Sequence, residues 1–154
     1  MTTALRSLER LLGSWKTEAT HPAMPGVVVH GTAEVEWLEG QRFLIQRTRN
    51  DHPDFPDAIS IIGHSDRDRV GAASAATEPR ELTMHYFDSR GVSRVYEASA
   101  SADAWHLVRM APGFSQRFTG QFQDGGNTIA GLWQTLDENE KTWKDDLQIT
   151  FRKR

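Results

Sequence analysis

The chain of 154 residues contains no cysteine, which excludes disulfide scaffolds, zinc ribbons and thiol nucleophiles. It also lacks long apolar runs. Stretches such as Val27-Val28-Val29 and Ile61-Ile62 fall far short of the roughly 20 residues that span a bilayer as a helix, so no membrane partner is expected. There is no cationic excess: 18 basic residues against 21 acidic ones leave a formal net charge of -3, and no nucleic-acid partner is expected. The opening Met1-Thr2-Thr3-Ala4-Leu5-Arg6 has neither the charged head nor the apolar run of a signal peptide, which predicts a cytoplasmic location. Phosphate-binding Gly loops, H-E-x-x-H and G-x-S-x-G are all missing. The six histidines, His21, His30, His52, His64, His85 and His106, are scattered with no pair at metal-ligand spacing, so neither a metal nor a cofactor is expected.

What is present is the material of one domain, residues 1–154, long enough to bury its own core. Leu5, Leu8, Leu11 and Leu12 fall at helical spacing ahead of Gly13 and predict one short helix over about residues 4–12. From residue 14 to 152 the pattern changes to short runs rich in Val, Ile, Thr, Phe and Trp, broken every eight to twelve residues by Gly, Asp, Asn and Pro. The runs predict strands near Ser14–Thr20, Val28–Leu38, Gln41–Asn50, Ile59–His64, Gly71–Ala75, Leu82–Phe87, Ser93–Ala98, Trp105–Met110, Arg117–Phe122, Thr128–Thr135 and Lys144–Arg152. Asp88-Ser89-Arg90-Gly91 and Asp124-Gly125-Gly126-Asn127 read as hairpin turns. A meander of about ten strands hides its edges most simply by closing on itself, so the expected fold is an all-β, up-and-down antiparallel barrel with a short N-terminal helix. The proline-bearing loop at 50–57 reads either as a plain connection or as a lid over one barrel end.

Of the 18 cations, 14 are arginine, the residue that stays charged when buried. Arg94, Arg109 and Arg117 fall mid-strand on consecutive strands. They read either as a solvated outer ladder, or as inward cations paired with Glu97, Glu36 or Asp146 or awaiting a ligand anion. Alternation aligns Arg94 with Tyr96 and Ala98, and Trp105 with Leu107 and Arg109. It sets Phe118, Gly120 and Phe122 against Arg117. Met84 and Tyr86 share one face, His85 and Phe87 the other.

Among the five tryptophans, Trp15 reads as a plug at one barrel end, while Trp37, Trp105, Trp133 and Trp143 read as core or as pocket wall. Tyr86 and Tyr96, the only tyrosines, fall on neighbouring strands and could project into one volume. His64 and His85 are the histidines placed to serve as general bases if they open inward.

Leu11-Leu12-Gly13-Ser14-Trp15, Glu36 to Leu44, Tyr86 to Tyr96, Phe114 to Gly120 and the closing Trp143-Lys144-Asp145-Asp146 with Thr150-Phe151-Arg152 together resemble an uncharacterised bacterial group of lipocalin-like barrels. This group lies within the calycin superfamily and is distantly similar to nitrobindins and fatty-acid-binding proteins. The resemblance covers nearly the whole chain and implies a fold and a cavity, without a settled activity. Nitrobindin-like haem binding would imply a histidine near the C-terminus, where this chain has none.

Two functions remain open. In the first, the barrel binds a small hydrophobic or amphipathic molecule, including anionic ones, with Trp37, Tyr86, Tyr96, Phe118 and Trp133 as wall and Arg94 or Arg109 as anchor. In the second, the same cavity is a cofactor-independent isomerase, cyclase or lyase, with Tyr86, His85 or His64 moving a proton and an arginine holding the oxyanion. Either takes a small-molecule partner, and a homodimer is compatible with both.

Overall fold

The computed structural model describes residues 1–65 and 82–154. A four-residue α-helix, α1 (Thr3–Arg6), runs into a 3₁₀ turn over Ser7–Leu11. Ten strands follow: β1 (Gly13–Thr20), β2 (Val29–Trp37), β3 (Phe43–Asn50), β4 (Ala58–His64), β5 (Leu82–Asp88), β6 (Ser93–Ala100), β7 (Ala104–Arg109), β8 (Gln116–Gln123), β9 (Thr128–Asp137) and β10 (Thr142–Lys153). Each pairs antiparallel with its sequence neighbour, and β1 pairs with β10 to close the barrel. The all-β barrel expected from the sequence is the fold observed. A strand at Gly71–Ala75 lies outside the described residues.

The short leading helix expected from the leucines is present, and it combines one α turn with a 3₁₀ turn. Thr2 caps it through its hydroxyl, which accepts from the Leu5 amide, but after one turn the chain tightens. Leu5, Leu8 and Leu11 sit three apart, and a 3₁₀ helix of three residues per turn points all of them in one direction. All three are buried, Leu8 completely, each contributing about 1.5–3 kcal/mol of apolar burial. Trp15 lies beneath them, its indole N–H donating to the Leu11 carbonyl at 2.9 Å and its ring meeting Phe151 edge-on. This end of the barrel is a packed plug.

Inside, strict alternation sets the faces. Trp15, Thr17 and Ala19 are buried along β1, and Tyr96 and Ala98 along β6, while their neighbours are exposed. A bulge in β10 between Asp145 and Gln148 interrupts the alternation, so that Asp146 and Leu147 both border the interior. At the end opposite the plug, the loops 21–28, 51–57, 89–92, 110–115 and 138–141 surround a mouth.

Candidate functional site: a walled cavity behind the mouth

Behind the mouth lies a cavity of about 490 Å³, within the range that holds a small organic ligand. One wall is aromatic. Tyr86, Tyr96, Trp133, Phe118 and Trp105 form a continuous chain of edge and tilted contacts, with successive centroids 6.5, 5.5, 5.0 and 5.2 Å apart. Two glycines make room for it. A Cβ on Gly120 would stand 2.6 Å from the Trp105 indole nitrogen, and one on Gly131 would stand 2.7 Å from the Phe118 ring. These two glycines face each other across β8 and β9, so the rings lie flat over bare backbone. The opposite wall is polar, formed by Thr17, Gln46, Thr48 and Ser60 from β1, β3 and β4. A bound molecule would therefore meet π-faces on one side and hydrogen-bonding groups on the other.

The polar groups near the mouth are held in place by the turn after β5. Asp88, with a fully enclosed side chain, accepts from the Tyr86 hydroxyl at 2.8 Å, from Arg90 Nη2 at 2.7 Å, and from the backbone N–H groups of Arg90 and Val92. Glycine at position 91 has φ of 86°, the left-handed conformation this turn needs. The Arg90 hydrogen bond, joined by those of Tyr86 and the turn amides, holds the Asp88 carboxyl well below the usual carboxylate range. Burial, then the hydrogen bond to Asp88 and its charge, pushes the Tyr86 phenol above its ordinary value. Tyr86 is thus a fixed hydrogen-bond donor to Asp88.

Tyr96 is buried and donates to Gln116 Oε1 at 2.8 Å. Burial raises its phenol pKa, while Arg94 and then Arg109 pull the other way. Arg94 lines the cavity and stacks on Phe114, its guanidinium carbon 4.9 Å from the ring centroid. Across the mouth, His21 Nε2 meets Asp146 Oδ1 at 2.6 Å. The 50–57 loop contributes Asn50, Asp54, Phe55 and Pro56 to the cavity lining. Asp57 ties it to the 89–92 turn through Ser89, donating N–H to the Ser89 hydroxyl and accepting from the Ser89 amide.

The structure brings Tyr86, Arg94, Tyr96, Phe118 and Trp133 together around this cavity; Arg109 does not line it and borders instead an outer cleft that Arg94 shares. Four other sequence candidates stand elsewhere. His85 is exposed on the outer face, paired with Ile61 and Val95, because alternation puts Tyr86 inside. His64 is at the plugged end, its Nε2 2.6 Å from the Thr2 hydroxyl. Trp37 closes β2 at that same end and packs against the core. Arg117 points outward, hydrogen-bonded to Gln134 and stacked 4.5 Å over Trp143. Glu36 pairs with Arg47 and Asp146 with His21, so neither neutralises an inward arginine. The sequence reading missed the polar wall; the period-2 pairs Gln46-x-Thr48 and Ala58-x-Ser60 carried that signal, but small polar residues mark solvated faces more often than cavities. Among the described residues no cluster of His, Asp or Glu could hold a metal.

No family model and no curated protein matches the chain. Among solved structures it is similar to the S-type phycobiliprotein lyase CPES from Guillardia theta, with a TM-score of 0.58 and 11% identity over 99% of this chain and 93% of that chain. A DUF3598 family protein of unknown function from Nostoc punctiforme aligns over 100% of both chains at 8% identity, with a TM-score of 0.29. What the chain shares with the lyase is the barrel, which fits a calycin-like fold.

Proposed function

We propose that the barrel binds a small amphipathic molecule with an acidic group, its flat apolar body against the Tyr96–Trp133–Phe118 wall and its anion on Arg94. One observation carries this reading: a cavity of about 490 Å³ with an aromatic wall opens to a mouth where Arg94, inward and half-buried, makes no ion pair with any described carboxylate. An uncompensated cation beside an apolar pocket favours an anionic ligand. Proton-transfer catalysis in the same cavity has weaker support. His85 faces outward, and both phenols are held protonated and already engaged, Tyr86 by Asp88 and Tyr96 by Gln116.

The test is titration with 1-anilinonaphthalene-8-sulfonate, read by dye emission and by quenching of tryptophan. Saturable one-to-one binding is expected, abolished by Thr48→Trp, which fills the cavity. Absence of saturable binding, or binding that survives Thr48→Trp in a folded variant, overturns the reading.

A further inference from the structure

We propose that the anion held here is a doubly charged head group of the phosphate monoester class, gripped between Arg94 on β6 and Arg109 on β7 where those two strands part. This rests on the reading above and specifies its ligand.

The parting is visible in the ladder. β6 and β7 pair only from Glu97↔Val108 to Ala100↔Trp105, four residue pairs, whereas β5 and β6 pair over six, from Leu82↔Ala98 to Phe87↔Ser93. Residues 93–96 therefore have a partner strand on one side and none on the other. Arg94 stands in this gap, bordering both the inner cavity and an outer cleft that Val95, Arg109 and Met110 share. Side chains alone hold the two lips together at this level. Phe114 bridges them, its ring under the Arg94 guanidinium and its carbonyl accepting from Arg109 Nη1 at 2.6 Å.

By alternation Arg94 falls on the face of Tyr96 and Arg109 on that of Leu107; Arg94 reaches the inner cavity, Arg109 the outer cleft, and both act electrostatically on the buried Tyr96 phenol. Neither has a counter-charge among the described residues. Of the acids near the cavity, Asp88 is committed to Arg90, Tyr86 and the turn amides and Asp146 to His21, while Asp54, on the 50–57 loop, forms no ion pair with either arginine. Glu97 is exposed on the outer face. Two other arginines near the barrel ends, Arg90 and Arg10, behave differently. Arg90 has Asp88, and Arg10 donates to the Ala102 carbonyl and stacks on Phe122.

Two guanidinium groups bordering one cleft repel each other. One carboxylate neutralises one of them; a dianion with three acceptor oxygens neutralises both and uses the N–H donors that Phe114 leaves free. Because the cations sit on opposite lips, such an anion also bridges the strands where the backbone ladder is absent.

The experiment compares 1-naphthyl phosphate, 1-naphthoate, 1-naphthol and inorganic phosphate by calorimetry at pH 8 and low salt. The phosphate ester is expected to bind at least tenfold more tightly than the carboxylate. Arg109→Gln should remove that advantage while leaving 1-naphthoate affinity within about twofold, and Arg94→Gln should weaken both anions. Equal affinity for ester and carboxylate in the wild type, or an Arg109→Gln loss shared equally by both, overturns the proposal and leaves the cavity reading standing. Inorganic phosphate binding as tightly as the ester would also overturn it, since the apolar body would then contribute nothing. Failure of all four probes, together with failure of the anilinonaphthalene dye, overturns the cavity reading itself.

Discussion

At the scale of single residues the mouth depends on Asp88. One enclosed carboxylate satisfies the turn amides, anchors Arg90 and fixes the Tyr86 hydroxyl. Hydrogen bonds to a charged group are among the stronger ones, so Asp88→Ala should cost about 2–3 kcal/mol at pH 7, read from the urea midpoint. The pH dependence follows from the lowered carboxyl pKa. The folded state binds its proton only at pH values below those at which the unfolded chain does. The stabilisation is therefore fully present above the ordinary carboxylate range near pH 4, and it is lost as pH falls through the lower folded value. The gap between wild type and Asp88→Ala should narrow steadily below about pH 4; a gap constant down to pH 2 would show that the carboxylate charge contributes nothing. Gly120 and Gly131 act by having no side chain, since a methyl at either would collide with the aromatic wall. The sequence placed Gly120 on the same face as Phe118, but the function of that gap shows only once β8 and β9 are side by side.

At the scale of elements, the strands are legible because β-branched and aromatic runs are broken at regular intervals by turn residues, and each described strand falls within two residues of its expected limits. The short leading helix is legible from its leucines, but leucines at spacings of three suit α and 3₁₀ turns alike, so its change from one to the other is not. Inward and outward faces followed once alternation was anchored, which is why Tyr86 and Tyr96 came together and His85 did not. The bulge at Asp145–Gln148 and the early end of the β6–β7 ladder left no such trace. Composition does not encode where a pairing stops. The consequence is measurable by amide hydrogen exchange. The N–H groups of residues 93–96 that face β7 should exchange about a hundredfold faster than those of residues 97–100, because they lack ladder partners. Uniform protection along β6 would mean that the seam is closed in solution.

For the whole molecule, the two ends of the barrel do different work, and the division explains both what the sequence revealed and what it withheld. The plugged end is ordinary core, built from leucines and Trp15 whose burial follows from hydrophobicity alone. The open end violates the rules that make a fold legible: polar residues face inward, the ladder parts, and two cations border one cleft with no ion pair among the described residues. Such departures from local consistency mark functional sites in stable domains and lower stability while the site is empty. Arg94 and Arg109 should therefore be a burden on the unliganded barrel. Replacing both by glutamine removes a like-charge repulsion and should raise stability by about 0.5–1 kcal/mol, an increase of about 1–4 °C in Tm for a domain of this size. The wild type should gain more from ligand than the variant gains from relief. At a hundredfold excess of 1-naphthyl phosphate over its Kd, linkage adds about 2.7 kcal/mol, or roughly 5–10 °C, and the double variant should show no such increase at the same concentration. If Arg94→Gln/Arg109→Gln lowers Tm without ligand, the arginines stabilise the barrel through Phe114, and no tension exists between its empty and occupied states.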